Sequence, residues 1–420
     1  MSNPNKKFCR RSIALSIKEC LGVCEKYIEI PIVDNKESRK NLITRIEAAT
    51  LKIIEQISRE RAPSISYFSG QNIRLKSDTR KKNVYSECSA HSQQTSTSSS
   101  DHLSDFAQEK DADNEDTSQN SEKTKRKTVD FAMTRSRNKF VLMVVIMAEA
   151  HRLLISNTTK TRRSFYYDLK TKTTTSYLVP DQTYVDRALN EVANLLKCAP
   201  WDLGLLATAK GLVAGNMTIT LDDQVIDCTI PGGVQIPQII SKIISIRVKA
   251  NFVLVIEKDA IFQKLLEENC PRALSCILVT GKGYPDVGTR MLVKILSEKM
   301  DLPIYIVVDA DPFGIDIMLI YRFGSSSLYR ENETLACPNA RWLGIHPSEL
   351  IPLGVKTIPL TRADLAKLRT IEARNYVNED MSKQLNILQK GKAEIEALSS
   401  FPNSLTAMYL SNKVRRKDYI

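Results

Sequence analysis

No apolar run in this 420-residue chain reaches the roughly 18 residues needed to cross a bilayer. The best candidate, Phe140 to Ala148, is too short and reads as part of a buried helix. Histidine is scarce, at four, and the nine cysteines form no CxxC pair; Cys20 and Cys24, the closest two, have no further Cys or His nearby. Both absences argue against a structural zinc site. An odd cysteine count without a signal peptide argues for a reducing compartment. The phosphate loop GxxxxGK followed by Ser or Thr is missing, and no other ATP-binding motif is present. Acidic residues are in deficit: 48 Asp and Glu against 60 Lys and Arg leave a formal charge of +12, with a pI near 9.1. That balance favours a polyanionic partner, DNA or RNA, over an acidic small molecule. A solvated basic surface explains charge alone equally well.

What is present is a chain of two or three domains, with 42% hydrophobic and 26% charged residues. Residues 1–85 read as a helical N-terminal region. Apolar residues at helical spacing predict helices over Ser12 to Tyr27 and Lys40 to Ile57, the first either docking onto a partner or packing on its own chain. Residues 86–129 read as a disordered Ser-rich and acidic linker. It ends in Lys123-Thr124-Lys125-Arg126-Lys127, a nuclear localisation patch or simply a solvated charge run. Residues 130–235 predict a helical domain with helices over Asn138 to Ile155, Thr159 to Leu169 and Asp181 to Leu196. A hairpin of Met217 to Leu221 with Val225 to Ile230 follows, as in a winged-helix DNA-binding unit. From 245 to 420, apolar strands alternate with helices: Phe252–Ile256, Cys276–Thr280 and Ile304–Val308 predict a parallel α/β sheet, with more helices over 360–400 and a basic tail.

Two sets of residues carry chemistry. Glu257, Asp309 and Asp311 close the apolar strands, where the carboxyl ends of a parallel sheet gather a site. Asp309 and Asp311 are two apart, so both turn toward one point while Ala310 turns away. Three sparse carboxylates without His or Cys suit Mg2+, which keeps waters and takes phosphate oxygens. The bland alternative for the pair is a strand terminator followed by a helix cap. The other set is Thr161-Arg162-Arg163-Ser164-Phe165-Tyr166-Tyr167. A tyrosine hydroxyl can attack a phosphodiester covalently. Arg163 lies one helical turn before Tyr167 on the same face, able to hold a phosphate; Tyr166 is the competing nucleophile, and core packing the bland reading of the aromatic run. Lys282 and Tyr284, in Gly281-Lys282-Gly283-Tyr284-Pro285, are candidates to meet a phosphate and to stack in a groove. Together the two sets imply a DNA-cleaving transesterase.

The chain resembles the meiotic double-strand-break transesterases, relatives of the A subunit of DNA topoisomerase VI, from about residue 135 onward. The resemblance lies in Arg163 to Tyr167, Gln182-Thr183-Tyr184-Val185-Asp186, Ala209 to Gly215, Val255 to Ala260, Gly281 to Asp286, Val308 to Gly314 and Arg341-Trp342-Leu343-Gly344. It departs from the family at Ser164, where an acidic residue is usual, and in the Thr- and Lys-rich tract Lys170 to Ser176. The resemblance implies a multidomain α/β protein, a winged-helix domain followed by a Toprim-type parallel α/β domain. It implies Tyr167 as nucleophile, Arg163 as its charge partner, Mg2+ on Glu257, Asp309 and Asp311, and Arg162, Lys210, Lys282 and Tyr284 on double-stranded DNA. Tyr167 of one protomer would work with the carboxylates of another in a dimer, leaving a 5′-phosphotyrosyl link. A topoisomerase VI B-like ATPase subunit, meiotic accessory proteins and a nuclear, chromosomal location are expected, with no membrane. Three alternatives stay open: a somatic topoisomerase VI of the same A type, a catalytically silent DNA-binding scaffold, and a Toprim nuclease that uses water.

Overall fold

The computed structural model describes residues 25–30, 36–69, 125–221, 224–238, 243–325, 332–398 and 404–420. Strand β1 (Glu25–Glu29) opens it. The first expected helix therefore does not include residues 25–27, and its remainder lies outside the described residues. Helix α1 (Lys36–Ser58) matches the second expectation, although it buries Leu42, Ile46 and Ile53 and leaves Leu51 63% and Ile54 54% exposed. Strands β2 (Ser64–Ser69) and β3 (Lys125–Asp130) pair antiparallel across the long insertion. The basic residues Arg126 and Lys127 thus belong to a strand, not to a linker running to 129. The rest of that linker lies outside the described residues.

Helix α2 (Thr134–Ser156) follows, ended by Asn157 in the left-handed conformation that stops a helix. Strand β4 (Lys160–Thr161) leads into helix α3 (Arg162–Thr171), whose Thr161 cap accepts a hydrogen bond from the Ser164 N–H at 3.1 Å. Helix α4 (Gln182–Leu196) is capped by Asp181 and buries Val185, Leu189, Val192 and Leu196, the face its spacing predicts. Strand β5 (Leu205–Leu206) pairs with β4. Elements α1 to α4 share one apolar core that includes Phe140, Met143, Ile146, Phe165 and Leu189. Each such fully buried side chain contributes about 1.5–3 kcal/mol.

The remaining chain builds β6 (Leu212–Ala214), β7 (Met217–Leu221), β8 (Val225–Asp227), β9 (Val234–Gln235), β10 (Ile243–Lys249), β11 (Phe252–Ile256), α5 (Asp259–Glu267), β12 (Cys276–Thr280), α6 (Val287–Glu298), β13 (Ile304–Val307), α7 (Pro312–Phe323), β14 (Arg341–Gly344), α8 (Arg362–Glu372), α9 (Glu379–Leu388) and α10 (Ser411–Arg416). One sheet runs β14-β13-β11-β12-β6-β9, parallel from β14 to β12 and antiparallel at β6 and β9. Strands β11, β12 and β13 are buried throughout, as continuous apolar runs in a parallel sheet covered on both faces must be. Alternate residues feed two cores: Val253, Val255 and Ile277 on one face, Leu254, Ile256 and Leu278 on the other. The chain leaves β11 toward β12 and leaves β13 toward β14, so connections diverge between β11 and β13. A crevice at the strand carboxyl ends belongs there.

The hairpin expected as the wing is placed differently. Strands β7 and β8 join β10 and β1 in a second sheet, β1-β10-β7-β8, which shares a core with the parallel sheet rather than with helices α2 to α4. Strands β6 and β9, expected in the unit ending at 235, lie in the parallel sheet. Alternation of apolar and polar residues identifies a strand, but its partner is chosen by contacts remote in sequence.

Candidate active site

Glu257 sits where β11 ends. Its N–H donates to the Val307 carbonyl at 3.1 Å, extending the ladder to β13 by one residue. Its carboxylate then reaches across, Oε2 accepting the Asp309 N–H at 2.9 Å. A Cβ on Gly314 would stand 2.8 Å from that Oε2 and 2.7 Å from the Asp309 carbonyl, so only glycine passes beneath the pair. Asp311 caps α7 by accepting the Gly314 N–H at 2.6 Å. The capping reading of the second aspartate is thus realised beside the cluster, because a cap at this strand end also faces it. Asp309 is 4% exposed. Its Oδ1 accepts the Ile395 N–H at 2.9 Å and its Oδ2 faces the Lys258 ammonium at 2.8 Å.

Burial, then the charges of Asp309 and Asp311, push the Glu257 carboxyl up to about 7. Burial also raises Asp309 and Asp311. Burial works against charge on Lys258, but its hydrogen bonds to Asp309 and Glu396 prevail and hold it well above an ordinary lysine. The donor set is all oxygen and carries an excess of negative charge that a hard divalent cation would relieve. These residues fit such an ion in chemistry. They are spread more widely than His346, Glu349 and Asp418, the group of three among the described residues whose donor atoms lie within 4.8 Å of one another. That second group is filled from within: the Lys413 ammonium contacts Glu349, Asp418 at 3.1 Å and His346 Nδ1 at 3.2 Å.

Two loops line the mouth beside Glu257. The Gly283 N–H donates to the Glu257 carbonyl at 2.9 Å, tying 281–286 to the end of β11. Asp286 Oδ2 accepts the N–H groups of Lys210 at 2.9 Å and Gly211 at 3.2 Å, while its Oδ1 caps α6. The Lys210 ammonium reaches the Lys282 carbonyl at 3.2 Å, and Lys282 pairs with Asp259 at 3.0 Å. The Tyr284 hydroxyl donates to Asp316 at 2.8 Å, leaving the ring partly exposed. Lys210, Lys282 and Tyr284 therefore share one rim with Glu257. Asp286, which fastens the two loops, stands in the sequence only as the last residue of the stretch Gly281 to Asp286, with nothing to mark its partners.

The tyrosines lie on the other core. Phe165 and Leu169 turn the inner face of α3 into the helical unit. Tyr166 packs partly buried against that core, whereas Tyr167 is 51% exposed. The Arg163 guanidinium stands 5.9 Å from the centre of the Tyr167 ring. Arg162, expected among the DNA contacts, points inward instead: it faces Asp186 and the Leu205 carbonyl, each at 3.4 Å, with its side chain 16% exposed. Lys160, which the sequence did not single out, pairs with Asp168 and Glu149 and braces α3. Among the described residues, neither Tyr167 nor Arg163 forms a hydrogen bond or ion pair with Glu257, Asp309 or Asp311.

Residues 252–414 match the Toprim-domain model of the topoisomerase 6 A-subunit/Spo11 family, and residues 138–205 match the family model described as Type IIB DNA topoisomerase. The chain is 41% identical over 292 residues to the meiotic recombination protein SPO11 of Homo sapiens, covering 67% of this chain and 72% of that protein. Meiotic recombination protein W68 of Drosophila melanogaster is 38% identical, with 68% of this chain and 85% of W68 covered. The A subunit of DNA topoisomerase 6 from Arabidopsis thaliana is 34% identical, with 69% of each covered. The chain belongs to the topoisomerase 6 A-subunit/Spo11 family. The two stretches matched in this Spo11-family chain fall in its two units: 138–205 holds α3 with its tyrosines, and 252–414 holds the parallel strands β11 to β14 with the acidic strand ends. Toprim domains bind a divalent metal, in keeping with the all-oxygen donor set.

Proposed function

We propose that this protein is a topoisomerase-like DNA transesterase that breaks both strands of duplex DNA to start meiotic recombination. Family membership and the relatives named for meiotic recombination support the reading. The observation that carries it is the pairing of an exposed tyrosine beside an arginine with a buried carboxylate cluster rimmed by lysines. Tyr167 attacks a backbone phosphorus through its hydroxyl oxygen. A tyrosyl oxygen–phosphorus bond forms, the bond to the 3′ oxygen breaks, and the phenol proton ends on the departing 3′ hydroxyl. The protein remains joined to the 5′ end. Arg163, against the Tyr167 ring, steadies charge on the phenolate and the phosphate. Glu257, Asp309 and Asp311 would hold Mg2+, which when bound neutralises charge at the scissile phosphate. Lys210, Lys282 and Tyr284 hold the duplex along the rim.

The helical unit around α3, with the antiparallel pair β2 and β3 packed on its core in the place of the expected wing, is read as the winged-helix domain and the sheet unit as the Toprim domain. Tyr167 and the carboxylates belong to different cores without a bond between them, which supports a site completed by the second protomer of a dimer. With no phosphate loop in the chain, a topoisomerase VI B-like subunit would supply ATP chemistry. Meiotic accessory proteins are further partners, and the nucleus is the location. The test is a covalent-adduct assay on labelled duplex with Mg2+ and the B-like partner. Label should remain on denatured wild-type protein and disappear in Tyr167→Phe. Label retained in Tyr167→Phe moves the nucleophile to Tyr166, and free 5′ phosphates without an adduct contradict the transesterase.

A further inference from the structure

Lys258 directly follows Glu257, yet its ammonium serves neighbours on another element. It lies 2.8 Å from Asp309 Oδ2, 2.9 Å from Glu396 Oε2 and 3.3 Å from Glu394 Oε2. The three carboxylates are not alike. Asp309 is buried at the end of β13, whereas Glu394 and Glu396 project from a segment open to solvent.

That segment is strapped across the acidic strand end. Ala310 and Ala393 form an antiparallel bridge, exchanging N–H to carbonyl bonds of 3.0 and 3.1 Å. The Ile395 N–H donates to Asp309 Oδ1 at 2.9 Å, and Lys392 is anchored on buried Asp364 at 2.8 Å. Each oxygen of Asp309 therefore already has a protein donor, a backbone N–H on one and an ammonium on the other. The backbone donor is compatible with a cation on the other oxygen. The ammonium is not, because two positive charges would crowd one oxygen. It need not go far, since both strap glutamates are already within contact distance.

We propose that Lys258 is a built-in counterion that occupies Asp309 until a divalent cation binds, and that Glu394 and Glu396 then take over its ammonium. The proposal rests on reading Asp309 as a cation ligand. It makes Lys258 a positioning residue that sets the affinity for metal, and it gives the strap a part in admitting the ion.

The test is Mn2+ binding to the full chain by titration calorimetry, with thermal melts in parallel. Lys258→Met should tighten Mn2+ binding about tenfold, because a competing charge at contact distance is gone. The doubly exchanged Glu394→Gln, Glu396→Gln protein should bind several-fold more weakly, since its ammonium has nowhere else to go. The decisive comparison puts the same double exchange into Lys258→Met, where it should have no further effect. A loss of equal size in that background means bulk charge and overturns the handover. Unchanged or weaker binding in Lys258→Met overturns the counterion. If Lys258→Met does not fold, the double exchange decides: weaker binding supports the proposal and wild-type binding overturns it. Mn2+ binding that is unaffected by Asp309→Asn, or absent from every protein, removes the ligand reading, and the proposal with it.

Discussion

Tyr167 stands half in solvent on a ten-residue helix anchored by Phe165 and Leu169. Asp309 lies almost wholly buried, with a protein donor on each oxygen and a neighbouring carboxyl pushed up to about 7. One region presents its tyrosine to solvent; the other hides its carboxylates and gives each at least one protein donor. Positioning a charged cluster has a high desolvation cost, so the fold devotes many interactions to it. A neutral phenol has no such cost and can be left free to meet a phosphate. Changes to the Tyr167 side chain should therefore alter chemistry without altering stability, and changes to the buried carboxylates or to what packs on them should alter both.

The sharpest attempt to break this contrast is Tyr167→Phe. It should abolish the covalent adduct while the thermal midpoint stays at the wild-type value, because the hydroxyl makes no hydrogen bond among the described residues. A clear loss of stability would mean that the tyrosine end is also built in. Next comes Gly314→Ala. Its Cβ would meet Glu257 and the Asp309 carbonyl inside contact distance, so unfolding in denaturant should show a loss of about 1–3 kcal/mol, with weaker metal binding as Glu257 is displaced.

A smaller, pH-dependent effect is expected at Glu257. Its folded carboxyl is raised to about 7, so between the unfolded value and about 7 the folded chain holds a proton that the unfolded chain has released. Stability from this group is therefore full at low pH and falls as pH rises through that window, with the whole cost of the buried charge present above it. Thermal midpoints from pH 4.5 to 8 should show this decline in the wild type and a shallower one in Glu257→Gln. Divalent cations, which need the ionised form, should bind more tightly as pH rises through about 7.

The smallest effects separate two kinds of basic residue. Lys282→Met should reduce the salt slope of duplex binding by about 0.9 for each phosphate it no longer neutralises, with little change in stability. Arg162→Met should do the reverse, because its guanidinium serves Asp186 and the Leu205 carbonyl.

Much of this was legible in the chain. The periods of α2 and α4 and the apolar runs of β11, β12 and β13 specify their elements locally, and the acidic residues closing β11 and β13 needed only that reading to converge. The partners of short strands were not legible. Met217 to Leu221 and Val225 to Ile230 alternate as strands must, but whether they serve as a wing or join a larger sheet depends on β10 and β1, remote in sequence. Arg162 and Arg163 illustrate the same limit. They are adjacent and chemically equal, and about 100° of helical turn sends one inward and the other beside Tyr167. Lys258 was visible only as the residue after Glu257, because its partners come from β13 and from a strap more than a hundred residues later.

The central claim is that the two regions form one catalytic site only across a dimer. Its most direct test mixes Tyr167→Phe protein with Asp309→Asn protein on supercoiled duplex DNA, with the B-like partner and Mg2+. Each variant alone should be inactive. In the mixture, one composite site per mixed dimer is intact, so single-strand nicks carrying protein on the 5′ end should appear. Inactivity of the mixture, under conditions where mixed dimers are shown to form and wild-type protein cuts, would contradict the account.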